Sequence, residues 1–564
     1  MRGRGRLGIR AGSLSPLAAG LVVAVVAAVA LMLTAHRPPA PVAPREAIHA
    51  ALSTPRVEQI LSGSHWDRAV AGPIDPQLEQ VNFYVGPRIV AAVALARGRT
   101  PTQEIDYRQM TTPYGDWIAY EPAVLVLLCG LFVLMAGVAP WRRLRNLDVG
   151  AALSLVAAVV MFQHRYIETS VLAALPGMVY LMLRCVGRAF SPAVDTAPSM
   201  PLLTAVTPGL DPARRVRWLR ASMVVLALVY VMVSISSFDA VDVIYAVMEG
   251  ATKLIHGVLP YGHMPPGIIH GDTYPILTYA LYTPLALVAP VRDTWDSVDA
   301  GLAVAALASL AAAWGVFRLF AGAGARGRGG VSRPVELEEA GLRAALTLLV
   351  FPPLLITAST GTTDVVLAAM LVGAVLLWRR PTACSGMLAV AAWFKLAPFA
   401  LLPACLAPLR GRRLARALAA IAVASLPSLA LLIALGGPHG LGDMIHAVSY
   451  QFSRASLQSF PGALGVPGFQ PLMEASVLGL IAAGAVKLRR EPELAGDRAR
   501  MAALSGAILI GLQVSANYWA FLYLVWVIPL AGVTLLAEPA LQAEPAVSRA
   551  AVRGAPEPAA ALAR

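Results

Sequence analysis

The sequence predicts an all-α polytopic membrane protein with about 14 transmembrane helices. Three observations carry that expectation. Hydrophobic residue types make up 57% of the 564 residues and charged types only 14%, with mean hydropathy +0.67. A soluble chain of this size carries about 25% charged residues to cover its surface, so a soluble enzyme and a disordered chain are both excluded. Secondly, apolar runs approaching the ~20 residues that a bilayer core requires recur along the chain. Thirdly, the net charge of +13 comes from short basic clusters lying between those runs. That is the positive-inside pattern, and it argues against a nucleic-acid partner.

The clusters set the order of elements. They are Arg2 to Arg10, Arg142 to Arg145, Arg214 to Arg220, Arg326 to Arg343, Arg379 with Arg380, Arg410 to Arg416, Lys487 to Arg500 and Arg549 to Arg564. Placing each in the cytoplasm assigns nearly every apolar run. Residues 1–36 become a cytoplasmic N-terminus and a first anchor, with the span at 15–35. Its apolar stretch is ~20 residues long with no A-x-A site after it, so it is expected to stay uncleaved. Residues 37–119 form an outer polar segment long enough for a small folded unit. Residues 120–187 hold three accessory spans, near 121–140, 148–165 and 170–187. A cytoplasmic linker covers 188–218, and a span at 219–237 opens the core, 219–537.

Charge and hydropathy conflict at one place in that core. If both 274–290 and 299–320 crossed, the arginine-rich loop at 321–343 would face outside. The first stretch contains Pro275, Pro284 and Pro290, and interior proline breaks helices. It is therefore expected to lie in the membrane plane or re-enter, with only 299–320 crossing. Non-helical backbone at that depth survives where protein buries it or where it lines a wet cavity, so the conflict marks a cavity on the outer face. Apolar segments follow at 344–357, 363–378, 384–394, 397–409, 414–435, 471–488, 502–514 and 519–537, several too short for a full span. The tail 538–564 is rich in Ala, Pro and Arg and is expected to be a disordered cytoplasmic tail. Both termini fall inside, and all nine histidines fall outside or at the outer interface. The four cysteines sit in apolar runs without a CxxC pair and read as small core residues.

Outer loop 238–298 holds the candidate chemistry. Asp239 and Asp242 stand where a span leaves the membrane, three residues apart, so one helical turn would put them on one face. Carboxylates at the hydrocarbon boundary are costly and by default face a polar cavity. A partly desolvated carboxylate has a raised pKa and can accept a proton near neutral pH. The competing reading is that both satisfy exposed N–H groups at a helix N-terminus. Downstream lies His270-Gly-Asp272-Thr-Tyr274-Pro275. His270 and Asp272 are a possible metal pair, but two ligands do not make a site, so no cofactor is expected and a divalent metal stays possible but unsupported. Lys395 is one of three lysines, with Lys253 and Lys487, and lies between two short apolar segments. An ammonium at a helix centre costs about 2.5–3.5 kcal/mol on insertion scales, so it needs a partner or a snorkelling route. Asp364 reads as cavity support or an Asx turn. Arg454 is the sole arginine of loop 436–470.

This core resembles the polyprenyl-phosphate-sugar-dependent glycosyltransferases of the GT-C fold, nearest to the family 87 mannosyltransferases. Asp242, Tyr245, Ala251, Leu254, Gly257 and Tyr261 match a "D…Y…A…LL-x-G-x-x-x-Y" pattern, followed by HGDTYP at 270–275 and Pro284. WFKLAPFALLP at 393–403 looks like the family's K-x-x-P element, and Gly361-Thr-Thr-Asp364 resembles its G-x-x-D turn. Two departures stand out. Tyr274-Pro275-Ile276 replaces Tyr-Pro-Pro, and four spans precede the core. The resemblance implies a membrane hexosyltransferase that moves a sugar, mannose or another hexose or pentose, from a polyprenyl-phosphate donor to a lipid or glycan acceptor. It makes Asp242 the general base of an inverting displacement, with Asp239 beside it. Tyr245, His270, Asp272, Tyr274, Asp364, Lys395 and Arg454 become substrate-binding candidates. The expected partners are the bilayer, the lipid-linked donor and the acceptor, and the expected location is the plasma membrane with the site outside. The alternatives are a transporter or flippase and a non-catalytic GT-C-like envelope subunit. Transporters place ionisable residues at midplane in two related halves. No such symmetry shows here, which favours the enzyme.

Overall fold

Most of the chain folds as helices, as an apolar backbone in lipid must to satisfy its own N–H and C=O groups. The structure, a computed structural model, describes residues 44–63, 65–73, 78–86, 88–96, 101–106, 121–137, 144–163, 166–191, 211–235, 241–291, 298–321, 333–454, 456 and 458–535. The expected first span at 15–35, Asp239, residues 192–210 of the 188–218 linker and the 538–564 tail lie outside the described residues.

Among the described residues, six helices are long and apolar enough to cross a membrane: Leu144–Gln163, Ile167–Phe190, Pro212–Ile235, Asp299–Ala321, Gly411–Gly436 and Phe469–Arg490. A seventh forms if Val335–Leu349 and Pro352–Ser359, bent by 58° to one another, count as one broken span. The described residues thus do not bear out the expected count of 14. The bend has a local cause. Pro352 has no N–H to donate, and a residue before proline is pushed out of the helical region; Phe351 sits at φ −74°, ψ 111°.

The remaining apolar stretches make shorter helices, including Pro122–Ala136, Asp364–Leu376, Pro381–Phe394 and Phe521–Leu535. At 1.5 Å per residue, 15 residues reach only about 22 Å, short of the ~30 Å hydrocarbon core. Protein therefore has to bury their ends. Asp364–Leu376 does this: its N-terminal half, from Asp364 to Ala368, is wholly buried. The 274–290 stretch forms no long helix. A 3-10 turn, Pro266–Asp272, leads into two short helices, Ile276–Ala280 and Thr283–Val288, each with a proline at or just before its start.

The all-α expectation fails in the 37–119 segment. Helices Pro44–Leu52 and Pro55–Leu61 precede a four-stranded antiparallel sheet in the order β1-β2-β3-β4, with β1 Arg68–Pro73, β2 Leu78–Val85, β3 Arg88–Ala96 and β4 Pro101–Asp106. Side chains alternate across the sheet. Val81 and Phe83 of β2 pack with Ala47, Ala51, Val57 and Ile60 of the two helices. Tyr84 points to the other face and packs on Ile167. Its hydroxyl donates to Glu168 Oε1 at 3.1 Å, and Arg68 lies 4.1 Å above its ring while pairing with Glu168 at 3.7 Å. The unit is thus seated on the first turn of the Ile167–Phe190 helix.

The accessory helices are not a separate body. Leu155, Met178 and Phe132 belong to one apolar cluster with Ile244, Leu302, Val365 and Leu524 of the core, and Ile167–Phe190 runs along Arg498–Ser515. One buried ion pair ties two of them: Arg184 donates to both oxygens of Asp148, at 2.7 and 2.9 Å, and the Tyr180 hydroxyl donates to the same carboxylate at 2.9 Å.

Candidate active site

Close backbone approaches assemble the site. Gly361 has φ +70°, and a Cβ there would collide with Leu302 Cδ2. Gly301 is as tight: its Cβ would meet Ile244 Cδ1 at 2.5 Å. Glycine is the residue that permits both a positive φ and this packing. The consequence is that the turn ahead of the Asp364–Leu376 helix abuts the start of the Asp242–Ile255 helix, where the Val241 N–H donates to the Thr360 carbonyl at 3.0 Å. Two distant carboxylates, Asp242 and Asp364, thereby enter one neighbourhood.

The Tyr-Pro segment is locked onto the same helix. A Cβ on Gly271 would lie 2.7 Å from Ala246 Cβ. The Tyr279 hydroxyl donates to the Gly271 carbonyl at 2.6 Å and accepts from the Tyr274 N–H at 3.3 Å, while Tyr261 donates to the Tyr274 carbonyl at 3.1 Å. Two tyrosines therefore hold the backbone of a third. Burial drives the Tyr274 hydroxyl well above the ordinary phenol range, and the charges of Asp242 and Asp364 push it further.

Lys395 ends the Pro381–Phe394 helix in an extended conformation, φ −147° and ψ 140°. The break turns its side chain toward the Gly361–Asp364 turn. Its ammonium donates to Asp364 Oδ1 at 2.6 Å, and the Trp526 indole N–H donates to the same oxygen at 2.7 Å. The Thr362 hydroxyl donates to Oδ2. The Tyr274, Tyr523 and Trp526 rings stand 5.6, 5.5 and 5.4 Å from the ammonium, which adds cation–π attraction in a desolvated place. Lys395 is thus paired internally and does not snorkel.

Asp242 is the first residue of its helix. Burial raises its carboxyl pKa, and the Arg454 guanidinium and the N–H groups of Val243 and of Asp242 itself oppose that rise. The residue is nonetheless exposed, so protein crowds the carboxylate on one side only. Arg454 follows the Gly440–Ser453 helix; its guanidinium carbon lies 3.9 Å over the Tyr518 ring, and its Nε is buried without a hydrogen-bond partner among the described residues.

The structure brings Asp242, Tyr274, Asp364, Lys395 and Arg454 together. The other candidates sit differently. The His270 ring stacks on Tyr450, 4.0 Å apart at 7°, and Gln451 donates to the Thr273 hydroxyl at 2.6 Å, so the Gly440–Ser453 helix lies over the Tyr-Pro segment. Asp272 accepts from the Gly262 N–H at 2.9 Å and braces that turn. Tyr245 packs against the main core, and the charge that reaches its hydroxyl is that of Asp299. Asp239 lies outside the described residues. Among the described residues no group of three or more His, Cys, Asp or Glu side chains could hold a metal. Thr362, Tyr518, Tyr523 and Trp526 were not legible as site residues. The only signal for them was the need of a buried ammonium for a partner, which names no residue.

Carboxylates, an ammonium, a guanidinium and tyrosines thus gather in one neighbourhood of a helical protein that has, among the described residues, six helices long and apolar enough to cross a membrane. Residues 273–516 match the model of glycosyltransferase family 87. That match supports a GT-C-like membrane glycosyltransferase of family 87, in agreement with the resemblance of the motifs. It takes in Tyr274, Asp364, Lys395 and Arg454, and it begins after Asp242. No curated protein and no solved structure matches the chain significantly.

Proposed function

We propose that the protein transfers a sugar from a polyprenyl-phosphate donor to a hydroxyl of an envelope lipid or glycan, at the outer face of the plasma membrane, with both termini cytoplasmic. The observation that carries this reading is Asp242: a carboxylate with a raised pKa that feels the charge of Arg454 and shares the neighbourhood of Tyr274 with Asp364. A base poised nearer neutrality takes a proton more effectively in the transition state. The balance is a single displacement. Asp242 takes the acceptor O–H proton, the acceptor oxygen bonds the anomeric carbon, and the bond from that carbon to the phosphate oxygen breaks. Configuration inverts, and polyprenyl phosphate leaves.

The leaving phosphate needs positive charge aimed at it. Arg454 suits this role better than Lys395, because among the described residues its Nε is buried without a hydrogen bond whereas the Lys395 ammonium is engaged by Asp364. Lys395 contributes field, and Asp364 with Trp526 holds it still. The sugar is mannose or another hexose or pentose on the strength of the family resemblance.

Membranes with and without the protein, supplied with labelled polyprenyl-phosphate-mannose, test the reading. Transfer that depends on the protein and falls about 100- to 10,000-fold in Asp242→Asn, the usual range for loss of a general base, supports it. Undiminished transfer in Asp242→Asn removes the base assignment. Movement of the lipid-linked sugar across the bilayer without a new glycosidic bond favours a flippase.

A further inference from the structure

Glu474 is a carboxylate that the chemistry above does not use. It stands on the long apolar helix Phe469–Arg490 but past its first turn, so it does not serve the N–H groups of the helix end. It is half-buried, and among the described residues no lysine, arginine or histidine pairs with it; its one partner is Gln470, whose Nε2 donates to Oε1 at 3.0 Å. Acidic side chains are seldom buried without a cation, and within membrane-spanning segments they mark functional positions by default. The carboxylate faces protein. Gln470 and Glu474 are four residues apart and share a helix face. One turn further on, Val477 packs on the Arg498–Ser515 helix, where a Cβ on Gly511 would lie 2.6 Å from Val477 Cγ2. Gln470 Nε2 also donates to Asn517 Oδ1, just past the end of that helix, and Asn517 Nδ2 donates to the Phe452 carbonyl at 2.5 Å.

This cluster adjoins the candidate active site through the residue that follows Asn517. The Arg454 guanidinium lies over the Tyr518 ring, and that ring is 6.2 Å from Tyr523, which in turn faces the Lys395 ammonium. Gln470 uses both Nε2 hydrogens within the cluster. Among the described residues, Glu474 Oε2, Gln470 Oε1 and the second Nδ2 hydrogen of Asn517 stay open: two acceptors and one donor. A hydroxyl is donor and acceptor at once, so neighbouring hydroxyls of a sugar ring match that set. A phosphate does not, because the carboxylate repels it. Arg454 and Glu474 thus sort an anionic group from a neutral one across Tyr518.

We propose that Glu474, Gln470 and Asn517 hold the hydroxyl groups of a neutral sugar on the acceptor, next to the place of the donor phosphate. The proposal rests on the sugar-transfer reading, but its test reads binding without transfer. The full chain in lipid discs is titrated with neutral methyl hexosides and pentosides, without donor, and binding is followed by saturation-transfer NMR. At least one glycoside should bind. Glu474→Gln should weaken it about tenfold, the loss expected when a charge-assisted hydrogen bond becomes a neutral one. The thermal midpoint of that variant should not fall, because its neutral side chain leaves no cation without a partner. In the transfer assay the acceptor KM should rise about tenfold, with kcat and the donor KM unchanged. The proposal is overturned if no neutral glycoside binds the wild type, if Glu474→Gln binds undiminished, or if its loss of binding comes with a lower thermal midpoint. Preference for a cationic 2-amino glycoside over the neutral ones overturns it too. A wild type that binds glycosides through Glu474 yet transfers no sugar removes the transferase reading and leaves the sugar site standing.

Discussion

The Lys395 ammonium lies 2.6 Å from Oδ1 of Asp364, and both side chains are buried. Thirty-one residues separate them, and the pair joins the start of one short helix to the end of another. Burying two charges costs more than a surface pair returns, and only close geometry with further hydrogen bonds offsets it. Here Trp526 and Thr362 supply those bonds.

This pair predicts a strong non-additivity. Asp364→Asn or Lys395→Met alone leaves a charge buried without its partner and should cost about 3–5 kcal/mol. The double variant should lie much closer to wild type, because neither charge remains. Chemical denaturation of the four proteins in one detergent measures the coupling. Additive losses would show that the two side chains do not depend on each other.

Asp242 predicts a pH-dependent stability of unusual sign for a carboxylate. Its folded pKa is raised, so the folded state holds the proton more tightly than the unfolded one. The contribution is complete below the ordinary carboxylate value of about 4 and is lost as pH rises through the raised value. Asp242→Asn should therefore be more stable than wild type at pH 7 and equal to it below about pH 4. Thermal midpoints of both proteins across that range decide it. Arg454→Gln should widen the window, because the guanidinium holds the carboxyl down.

Gly361→Ala should damage the site from behind. A positive φ costs an L-residue about 1–2 kcal/mol, and the collision with Leu302 adds about 1–3 kcal/mol of overpacking. Sugar transfer should fall together with the thermal midpoint. Gly257→Ala has the same sign of φ but open space at its Cβ, so it should cost only the backbone part. Equal effects of the two would deny the close approach.

The sheet unit predicts a local loosening. Tyr84→Phe removes a hydrogen bond to Glu168, whose side chain is 26% exposed. Such a bond is worth about 1–2 kcal/mol at partial exposure. Amide exchange should quicken in β2 and β3 while the core helices keep their protection. Unchanged exchange in those strands would mean that other contacts seat the unit.

The long helices were legible because lipid imposes a length and polarity that a linear string records directly. The 274–290 stretch was legible through its prolines and the charge conflict, and it forms no long helix. The sheet at 68–106 was missed because its central strand, β3, is apolar on both faces, RIVAAVALA, and most of its residues are buried. Alternation is lost in such a strand. Among the described residues six or seven helices have the length and composition to cross, and apolar composition alone does not separate a helix that crosses from a short helix walled in by protein. Asp364 and Lys395 were each singled out as candidates, but nothing in the string joined them. Trp526 looked like any apolar span residue until its N–H was seen on Asp364.

What the sequence by itself determined is the solvent: with 57% hydrophobic and 14% charged residues the chain cannot cover itself in water, and its arginine clusters set the expected sidedness of the spans. It also flagged the scarce ionisable residues, because burying charge is costly enough that few positions tolerate it. Which of those residues meet was decided only by tertiary packing. Gly301 and Gly361 bring two backbones close enough to set Asp242 near Asp364, and helix breaks turn Lys395 and Arg454 inward. Contacts between segments hundreds of residues apart depend on shape, and shape at that range exists only once the helices are packed.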